Sequence, residues 1–176
     1  MKIKQYETER LIIRPTQVED APFVFELMNT PAWIANIGDR GIHTLKDAEI
    51  YIQERMLPQL KRLGYSNNTV IRKQDGVKMG SCGLYDREGL EGVDIGFSFL
   101  PAYWGQGYAF ESAAKIKDLA FRELGLTQIS AITTQTNYPS QKLIEKLGLQ
   151  FEKLIRLPND KEELMYYRVL REGNNH

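Results

Sequence analysis

The sequence predicts an α/β domain built on a mixed sheet. Strand patterns linked by tight turns alternate with amphipathic helix patterns along the chain. In addition, one alternating strand over Val93–Phe99 runs through a two-glycine loop into a long amphipathic helix. A chain of 176 residues can bury a sizeable core without disulfides. We therefore expect a single domain over residues 1–170 and a polar tail over residues 171–176.

The first predicted elements are a strand and a short helix. Residues Arg10–Arg14 have a strand pattern, which Pro15 ends because proline cannot donate a backbone hydrogen bond. Thr16 and Glu19 have the spacing of a capping box at a helix start. The apolar residues of this helix recur at helical spacing and should face the core: Phe23, Val24, Leu27 and Met28.

A loop and a longer helix are predicted next. Residues 29–43 contain a proline and two glycines and should form a loop. Thr44 and Asp47 then cap a second helix, which Pro58 should kink or divide. Gly64 follows the last apolar residue of this helix and should end it.

A hairpin leads from this helical segment into the central strand. Thr69–Arg72 and Val77–Leu84 are short strand patterns joined through the turn residues 74–76. Gly80 and Gly83 interrupt the second strand, which indicates a bulge or a close backbone neighbour. A polar stretch then turns the chain into the strand that begins at Val93.

The second half of the chain alternates helices and strands. The helix after the two-glycine loop should end at Gly125, and a strand pattern follows over Gln128–Thr134. A further helix opens near Tyr138, and the strand patterns Phe151–Leu157 and Leu164–Leu170 come last. Because the central strand and the strand after it are joined through a helix, they should be parallel neighbours. The carboxyl ends of such a pair are the usual place for a ligand.

The loop Trp104-Gly105-Gln106-Gly107-Tyr108-Ala109 is the candidate binding element. Two glycines one residue apart allow the backbone to approach a ligand closely. The start of the following helix adds unpaired N–H groups and the positive end of the helix dipole. The order of strand, glycine loop and helix start therefore predicts an anion site, most often one for phosphate.

Two common nucleotide fingerprints do not fit this loop. The dinucleotide pattern needs a third glycine, where this chain has Phe110, and the phosphate loop of nucleotide hydrolases needs a Lys-Ser/Thr pair. A glycine turn that merely joins a strand to a helix is the simplest alternative, and a short glycine pattern alone would favour it. The flanking strand and helix favour the anion site instead.

Composition argues against several other classes of protein. Lys and Arg total 23 and Asp and Glu total 23, so no basic surface for nucleic acid or for membrane lipids is expected. No apolar run is long enough to span a membrane, and the first ten residues are too polar for a signal peptide. With one cysteine, Cys82, and two histidines, neither a disulfide nor a metal site is expected. These features predict a cytoplasmic protein without metal.

Three segments resemble the GNAT superfamily of N-acetyltransferases. The acetyl-CoA pyrophosphate loop of that family is written Q/R-x-x-G-x-G/A; Gly107 and Ala109 match its last two positions, and Trp104 replaces the Gln/Arg. The resulting Trp-Gly-x-Gly-Tyr-Ala variant is similar to the branch that contains the ribosomal-protein N-terminal acetyltransferases. The segments Asn137–Leu149 and Leu11–Pro15 also resemble this family, so the resemblance covers nearly the whole chain.

The resemblance implies a fold and a cofactor site. The GNAT fold is a single domain whose mixed, mostly antiparallel sheet holds acetyl-CoA in a V-shaped gap between two central, splayed parallel strands. Backbone amides around Phe97–Phe99 would pair with the pantetheine arm as an added strand, and they would also serve as donors to the oxyanion of the reaction. The implied cofactor-binding residues are Phe97, Ser98, Phe99, Trp104, Gly105, Gln106, Gly107, Tyr108, Ala109, Phe110 and Asn137.

Two catalytic candidates also come from the resemblance. Many relatives use a tyrosine to protonate the leaving thiolate; this chain has Ile144 there, and Ser140, which matches a serine typical of the branch, is the candidate acid. The alternative role of Ser140 is to satisfy backbone N–H groups at a helix start. Asp94 matches an acidic position used as a general base in some relatives, and its alternatives are a solvated carboxylate or an ion-pair partner.

The reaction implied by the resemblance is direct transfer of the acetyl group of acetyl-CoA to a primary amine. The branch favours a protein N-terminus as acceptor; a polyamine, an amino acid and an aminoglycoside are the small-molecule alternatives. A non-catalytic acyl-CoA-binding module and a nucleotide-binding α/β protein are alternatives from other classes. The sequence leaves open whether the protein forms a homodimer. Residues 29–64 should shape the side of the site where the acceptor binds.

Overall fold

The computed structural model describes residues 4–173. Its strands are β1 (Tyr6–Glu7), β2 (Leu11–Pro15), β3 (Asn67–Arg72), β4 (Lys78–Tyr85), β5 (Asp94–Phe99), β6 (Gln128–Thr134), β7 (Gln150–Ile155) and β8 (Leu164–Leu170). They form one eight-stranded sheet in the order β1-β2-β3-β4-β5-β6-β8-β7. All neighbouring strands are antiparallel except β5 and β6, which are parallel. The predicted α/β fold with a mixed, mostly antiparallel sheet is therefore confirmed.

Six α-helices in the described chain connect and flank these strands. They are α1 (Ala21–Met28), α2 (Pro31–Asn36), α3 (Leu45–Tyr51), α4 (Leu57–Leu63), α5 (Tyr108–Arg122) and α6 (Tyr138–Lys146). Between residues 4 and 173, no helix combines the length and the apolar character that crossing a bilayer requires. Of the predicted polar tail, residues 171–173 form no helix or strand, and residues 174–176 lie outside the described range, as do residues 1–3.

The start of α1 differs from the prediction by one residue. The capping contact joins Gln17 and Asp20, with the Gln17 N–H 2.9 Å from the Asp20 carboxylate, and it precedes a short 3₁₀ turn. Thr16 is instead buried, and its hydroxyl lies 2.9 Å from that of Thr69. The capping box predicted for Thr16 and Glu19 is therefore wrong. The predicted core face of α1 is confirmed, since all of its members are buried: Phe23, Val24, Leu27 and Met28.

The loop predicted over residues 29–43 is wrong in part, because α2 lies within it. The Thr30 hydroxyl accepts a hydrogen bond from the Trp33 N–H (3.3 Å) and caps this helix. Pro31 occupies the first turn, where the missing N–H of proline leaves no bond unmade. A threonine directly before a proline is a helix-start signal, whereas the glycines that follow favour a loop.

The second helical segment is divided, as predicted. Thr44 and Asp47 form a capping box at the start of α3, and Gly64, with φ +85°, ends α4. A π-helical turn over Ile52–Met56 lies between the two helices, just before Pro58. Because proline has no N–H to continue the ladder of a regular helix, the wider turn accommodates it.

The hairpin of β3 and β4 contains the expected irregularity. Val70 pairs with Gly80 and Ile71 pairs with Lys78, so Met79 is an extra residue in β4 and forms a bulge. Gly80 also has a close neighbour, because a Cβ atom there would lie 2.5 Å from the ring of Phe99. The glycine in this strand therefore marks both a bulge and a close contact.

A buried aspartate ties the first helix to the sheet. The Asp20 side chain is fully buried and accepts hydrogen bonds from both Nη atoms of Arg14, at 2.7 and 2.8 Å. The Lys78 Nζ lies 2.7 Å from the same carboxylate, and the Thr69 hydroxyl donates to it over 3.2 Å. This network connects β2, β3 and β4 beneath the start of α1.

The parallel strands β5 and β6 meet at one place in the described chain. Asp94 and Ser130 are their registered pair, and the Ser130 N–H donates to the Val93 carbonyl over 3.0 Å. Beyond this point β5 pairs with β4 up to Phe99, and β6 pairs with β8 up to Thr134. The two strands therefore separate toward their carboxyl ends, which confirms the predicted splayed pair.

Candidate active site

The glycine loop is exposed and opens at the start of α5. Gly105 and Gly107 have positive φ angles of +73° and +81°, a conformation that other residues rarely adopt. Gly107 is the N-cap residue of α5. A Cβ atom on Gly105 would meet no atom within 4 Å, so the space beside the loop is open to a ligand.

Six consecutive backbone N–H groups of this loop lack an acceptor within residues 4–173. They belong to the residues from Gly105 to Phe110, whereas the Trp104 N–H bonds to the Pro101 carbonyl and the Glu111 N–H bonds to the Gly107 carbonyl. Unpaired N–H groups and the positive end of a helix together attract anions. The loop therefore fits an anionic ligand such as a diphosphate.

Arg10 fixes this loop from the side of β2. Its Nη1 donates to the Gln106 carbonyl (3.0 Å) and its Nε donates to the Glu111 carboxylate (2.7 Å). The guanidinium carbon lies 4.3 Å from the centre of the Tyr108 ring, within the range of a cation–π contact. The hydrogen bond with Glu111 is the main cause of the raised pKa of Arg10, so the guanidinium stays charged beside the loop. No local pattern in the sequence indicates this role of Arg10.

The carboxyl-terminal half of β5 presents unpaired backbone groups to the gap. The Val93 carbonyl accepts from β6, whereas the Leu100 N–H donates to a carbonyl of β4 (2.9 Å). Because backbone groups alternate sides along a strand, those of Phe97 and Phe99 lie on the side of the gap, and those of Ser98 lie on the side of β4. The Phe99 carbonyl accepts from the Trp104 indole, so the unpaired groups are the Phe97 N–H and carbonyl and the Phe99 N–H. The expectation that all three residues offer backbone groups to the cofactor is thus corrected for Ser98, whose side chain is half-buried.

Two aromatic residues border the loop in different ways. The Trp104 indole N–H donates to the Phe99 carbonyl (2.8 Å), while the residue as a whole is 54% exposed. This bond leaves the flat face of the indole available to a ligand. Tyr108 is buried beneath Arg10 and belongs to the core, so its side chain supports the loop from below.

The other side of the gap ends at the start of α6. Asn137 follows β6 and is the N-cap of α6, where its side-chain oxygen accepts from the Ser140 N–H (3.3 Å). The capping role considered for Ser140 is therefore wrong, because Asn137 performs it. Within residues 4–173 the Ser140 hydroxyl makes no hydrogen bond, and the residue is half-buried. This hydroxyl is free to meet a ligand.

Asp94 lies at the vertex of the gap. Its side chain is 1% exposed, so the alternative of a solvated carboxylate is wrong. Both of its oxygens lie 2.9 Å from the Nε of Arg87, which is the ion-pair arrangement. Burial raises the pKa of Asp94, and the Arg87 guanidinium opposes that rise. The geometry makes Asp94 a partner of Arg87 and leaves it almost no surface for a substrate.

Other reactive side chains take no part in this arrangement. Cys82 is buried, and its burial raises the pKa of the thiol to about 12, so it stays protonated and unreactive. In the part of the chain from residue 4 to residue 173, no three His, Cys, Asp or Glu side chains are grouped so that they could hold a metal ion.

Proteins of similar sequence and structure include acetyltransferases. The family model described as the acetyltransferase (GNAT) domain matches residues 10–150. The uncharacterized N-acetyltransferase YnaD of Bacillus subtilis is 28% identical over 172 residues, which cover 96% of this chain and 98% of that protein. A GNAT-family acetyltransferase of Bacillus anthracis has a TM-score of 0.78 at 27% identity and covers 97% of this chain and 100% of its own.

A structure with a bound ligand shares the fold at lower identity. RimL, a ribosomal L7/L12 α-N-protein acetyltransferase solved in complex with coenzyme A, has a TM-score of 0.81. Its sequence is 14% identical to this chain, and the match covers 95% of this chain and 98% of RimL.

Proposed function

Since the chain belongs to the GNAT acetyltransferase domain family, we propose that it transfers the acetyl group of acetyl-CoA directly to a primary amine. A protein N-terminus is the first acceptor to test, because a ribosomal-protein N-acetyltransferase is among the proteins that share the fold. Small-molecule amines are the alternative acceptors.

The main support for this proposal is the row of six unpaired N–H groups at the N-terminus of α5. Acetyl-CoA has a diphosphate, which the amides of residues 105–110 would hold, and it supplies an acyl group activated as a thioester. Phe97 and Phe99 would bind the pantetheine arm through the backbone groups that face the gap. The side-chain amide of Asn137 donates no hydrogen bond within residues 4–173, and it would donate to the same arm.

The residues around the gap have the chemistry that aminolysis of a thioester requires. A new N–C bond forms and the C–S bond breaks, while the amine gives up a proton to water and the leaving thiolate takes one up. The backbone N–H group of Phe97 would stabilise the oxyanion that develops on the carbonyl, and the Phe97 carbonyl and Phe99 N–H would remain for the pantetheine arm. The Ser140 hydroxyl would protonate the thiolate and regain its proton from water.

An acceptor screen tests the proposal directly. Release of CoA from acetyl-CoA is measured with polyamines, amino acids, aminoglycosides and short peptides that have free N-termini. Turnover with at least one amine is expected. Binding of CoA without turnover on any amine would favour a non-catalytic acyl-CoA-binding module. Thermal stabilisation by NAD or ATP, but not by CoA, would favour a nucleotide-binding protein.

Replacing Ser140 with alanine is expected to lower kcat at least about tenfold, because a positioned proton donor is lost. The affinity for CoA should stay within about twofold of the original value, since the loop that holds the diphosphate is untouched. Steady-state kinetics and calorimetric titration with CoA measure the two effects. Ser140→Thr, which keeps a hydroxyl, serves as the conservative control and should retain most of the rate. Equal kcat values for the alanine variant and the original protein would remove Ser140 from the reaction.

Replacing Asp94 with asparagine is expected to leave the acid limb of the pH–rate profile at the same pH. The reason is that Arg87 already binds both oxygens of Asp94, and the carboxylate is too buried to take a proton from an incoming amine. The measurement is kcat from about pH 5.5 to pH 9 for both proteins. If the acid limb moves or disappears in the variant, Asp94 is the general base and is more than an ion-pair partner of Arg87.

A further inference from the structure

Arg87 is held with its outer edge free. Its Nε faces the buried Asp94 carboxylate, and within the described chain neither Nη atom makes a hydrogen bond. The Arg87 side chain is 31% exposed, so this edge is open to water and to a ligand. An arginine usually presents two parallel N–H groups to a planar anion, and here that fork is unused.

The guanidinium is also fixed from below by an aromatic ring. The guanidinium carbon of Arg87 lies 4.9 Å from the centre of the Tyr85 ring. The Tyr85 hydroxyl donates to the Asn67 side chain over 2.5 Å, which fixes the ring. The ring rests on Gly96, where a Cβ atom would lie 2.9 Å from it. Glycine at this position therefore allows the stack of Tyr85 and Arg87 on the face of β5.

The stack of Tyr85 and Arg87 lies beside the part of β5 that is proposed to bind the acyl group. An Nη atom of Arg87 lies 3.8 Å from the position of a Cβ on Gly96. Phe97 is the next residue of β5, one strand step of about 3.3 Å further along, and its backbone groups face the gap. An anion bound by the free edge of Arg87 would therefore lie beside the part of β5 that is proposed to hold the thioester.

The charges nearby suit a single negative charge rather than two. Asp94 already neutralises much of the Arg87 charge from the inner side. The turn that contains Arg87 carries three more acidic residues, Asp86, Glu88 and Glu91, all of them exposed. Of these, Asp86 is paired with Arg62 at 2.9 Å. A doubly charged phosphate would be repelled here more strongly than a carboxylate, whose planar shape also matches the fork.

We infer that Arg87 binds a carboxylate of the acceptor, so that the preferred acceptor is an amine with a carboxylate a few bonds from its amino group. This inference rests on the proposed function, since it identifies the class of amine that the same site acetylates. Two sources have this chemistry: a free amino acid, and a peptide whose first residue has an acidic side chain. Asp94 and Tyr85 are positioning residues that orient the guanidinium.

The test compares acceptors that differ only in the carboxylate. One pair is an amino acid and its amide, and the second pair is a short peptide beginning with Asp and the same peptide beginning with Asn. For each protein variant the ratio of kcat/KM within a pair is measured, so that differences in amine basicity cancel between variants. A preference for the acid in the first pair identifies a free amino acid, and a preference in the second identifies a peptide.

The variants are chosen so that loss of folding cannot imitate the result. Arg87→Gln removes the fork but leaves Asp94 unpaired, so Arg87→Gln combined with Asp94→Asn restores a neutral hydrogen-bonded pair. Arg62→Gln is the matched control, because Arg62 is a nearby exposed arginine that pairs with the same turn. We expect the acid preference to fall at least about tenfold in both variants that lack Arg87, and to be unchanged in Arg62→Gln.

A binding measurement separates this inference from the proposed function. Calorimetric titration compares an N-acetyl amino acid with its N-acetyl amide in the presence of CoA. If the protein acetylates no amine, the proposed function fails, but a carboxylate preference that disappears with Arg87 would still support the binding site. The inference is overturned if the original protein shows no preference for the carboxylate, or if both variants without Arg87 keep the original preference.

Discussion

CoA binding should fall at least about 100-fold when Gly107 is replaced by valine. Gly107 has φ +81°, and a β-branched residue is strongly disfavoured in this region. Its Cβ would also lie 3.3 Å from an Nη atom of Arg10, the residue that holds the loop through the Gln106 carbonyl. The loop would have to change its backbone, and the row of free N–H groups would lose its alignment. Calorimetric titration with CoA measures the affinity.

Gly64→Val is the matched control for this prediction. Gly64 has φ +85° and ends α4, and a Cβ there would meet no atom within 4 Å. Both substitutions therefore carry a similar backbone cost of about 1–2 kcal/mol, which should lower the melting temperature in each case. Only the substitution at Gly107 should weaken CoA binding. A CoA affinity of the Gly107 variant within threefold of the original value would show that the loop does not hold the diphosphate.

Asp20→Asn is expected to lower the free energy of unfolding by about 2–3 kcal/mol. The carboxylate is fully buried between Arg14 and Lys78, and breaking such a group leaves the two cations without a counter-charge. We place the value below that of a fully buried pair because Arg14 and Lys78 keep 23% and 34% side-chain exposure. For a chain of this size the melting temperature should fall by roughly 5–10 °C. Urea denaturation and thermal melting give the two quantities.

The pH dependence identifies the charge of Asp20 as the cause. Burial alone would raise the pKa of Asp20, but hydrogen bonds from Arg14, Gln17 and Lys78 outweigh it and hold the pKa well below the ordinary value of 3.8. A depressed pKa in the folded state stabilises the protein above pH 3.8, and this contribution is lost as the pH falls further. The stability difference between the original protein and Asp20→Asn should therefore shrink below about pH 4.

An exposed aspartate provides the control for burial. Asp75 also receives two hydrogen bonds from one arginine, Arg72, at 3.0 and 2.6 Å, but its side chain is 38% exposed. Asp75→Asn should cost less than about 1 kcal/mol, because water screens such a pair. An equal loss of stability in the two variants, or a difference for Asp20→Asn that does not change with pH, would contradict the assigned role of Asp20.

Features that depend on neighbours in sequence could be predicted. The capping box at Thr44 and Asp47, the hairpin turn at residues 74–76 and the helix end at Gly64 all rest on contacts within a few residues. The splayed strand pair came from the family resemblance rather than from the residue pattern. Helix α2 is not predictable in this way, because six residues with a proline at the start show too little periodicity.

Features that depend on distant contacts could not be predicted. The capping contact involves Asp20 rather than the predicted Glu19, because the Asp20 carboxylate is held by an ionic network with strands elsewhere in the chain. Arg10 reaches Glu111 across 101 residues, and no local pattern reports such a contact. The burial of Asp94 likewise depends on the turn that brings Arg87 over it.

Because β5 and β6 share one registered pair in the described chain, the sheet consists of two parts that are joined by few hydrogen bonds. Strands β1 to β5 form one part, and β6, β8 and β7 form the other. The chain passes from the first part to the second through α5. A molecule that lies in the gap can form hydrogen bonds with both strands where they do not bond to each other. A bound ligand should therefore connect the two parts of the sheet, and the melting temperature of the whole domain should rise with ligand concentration.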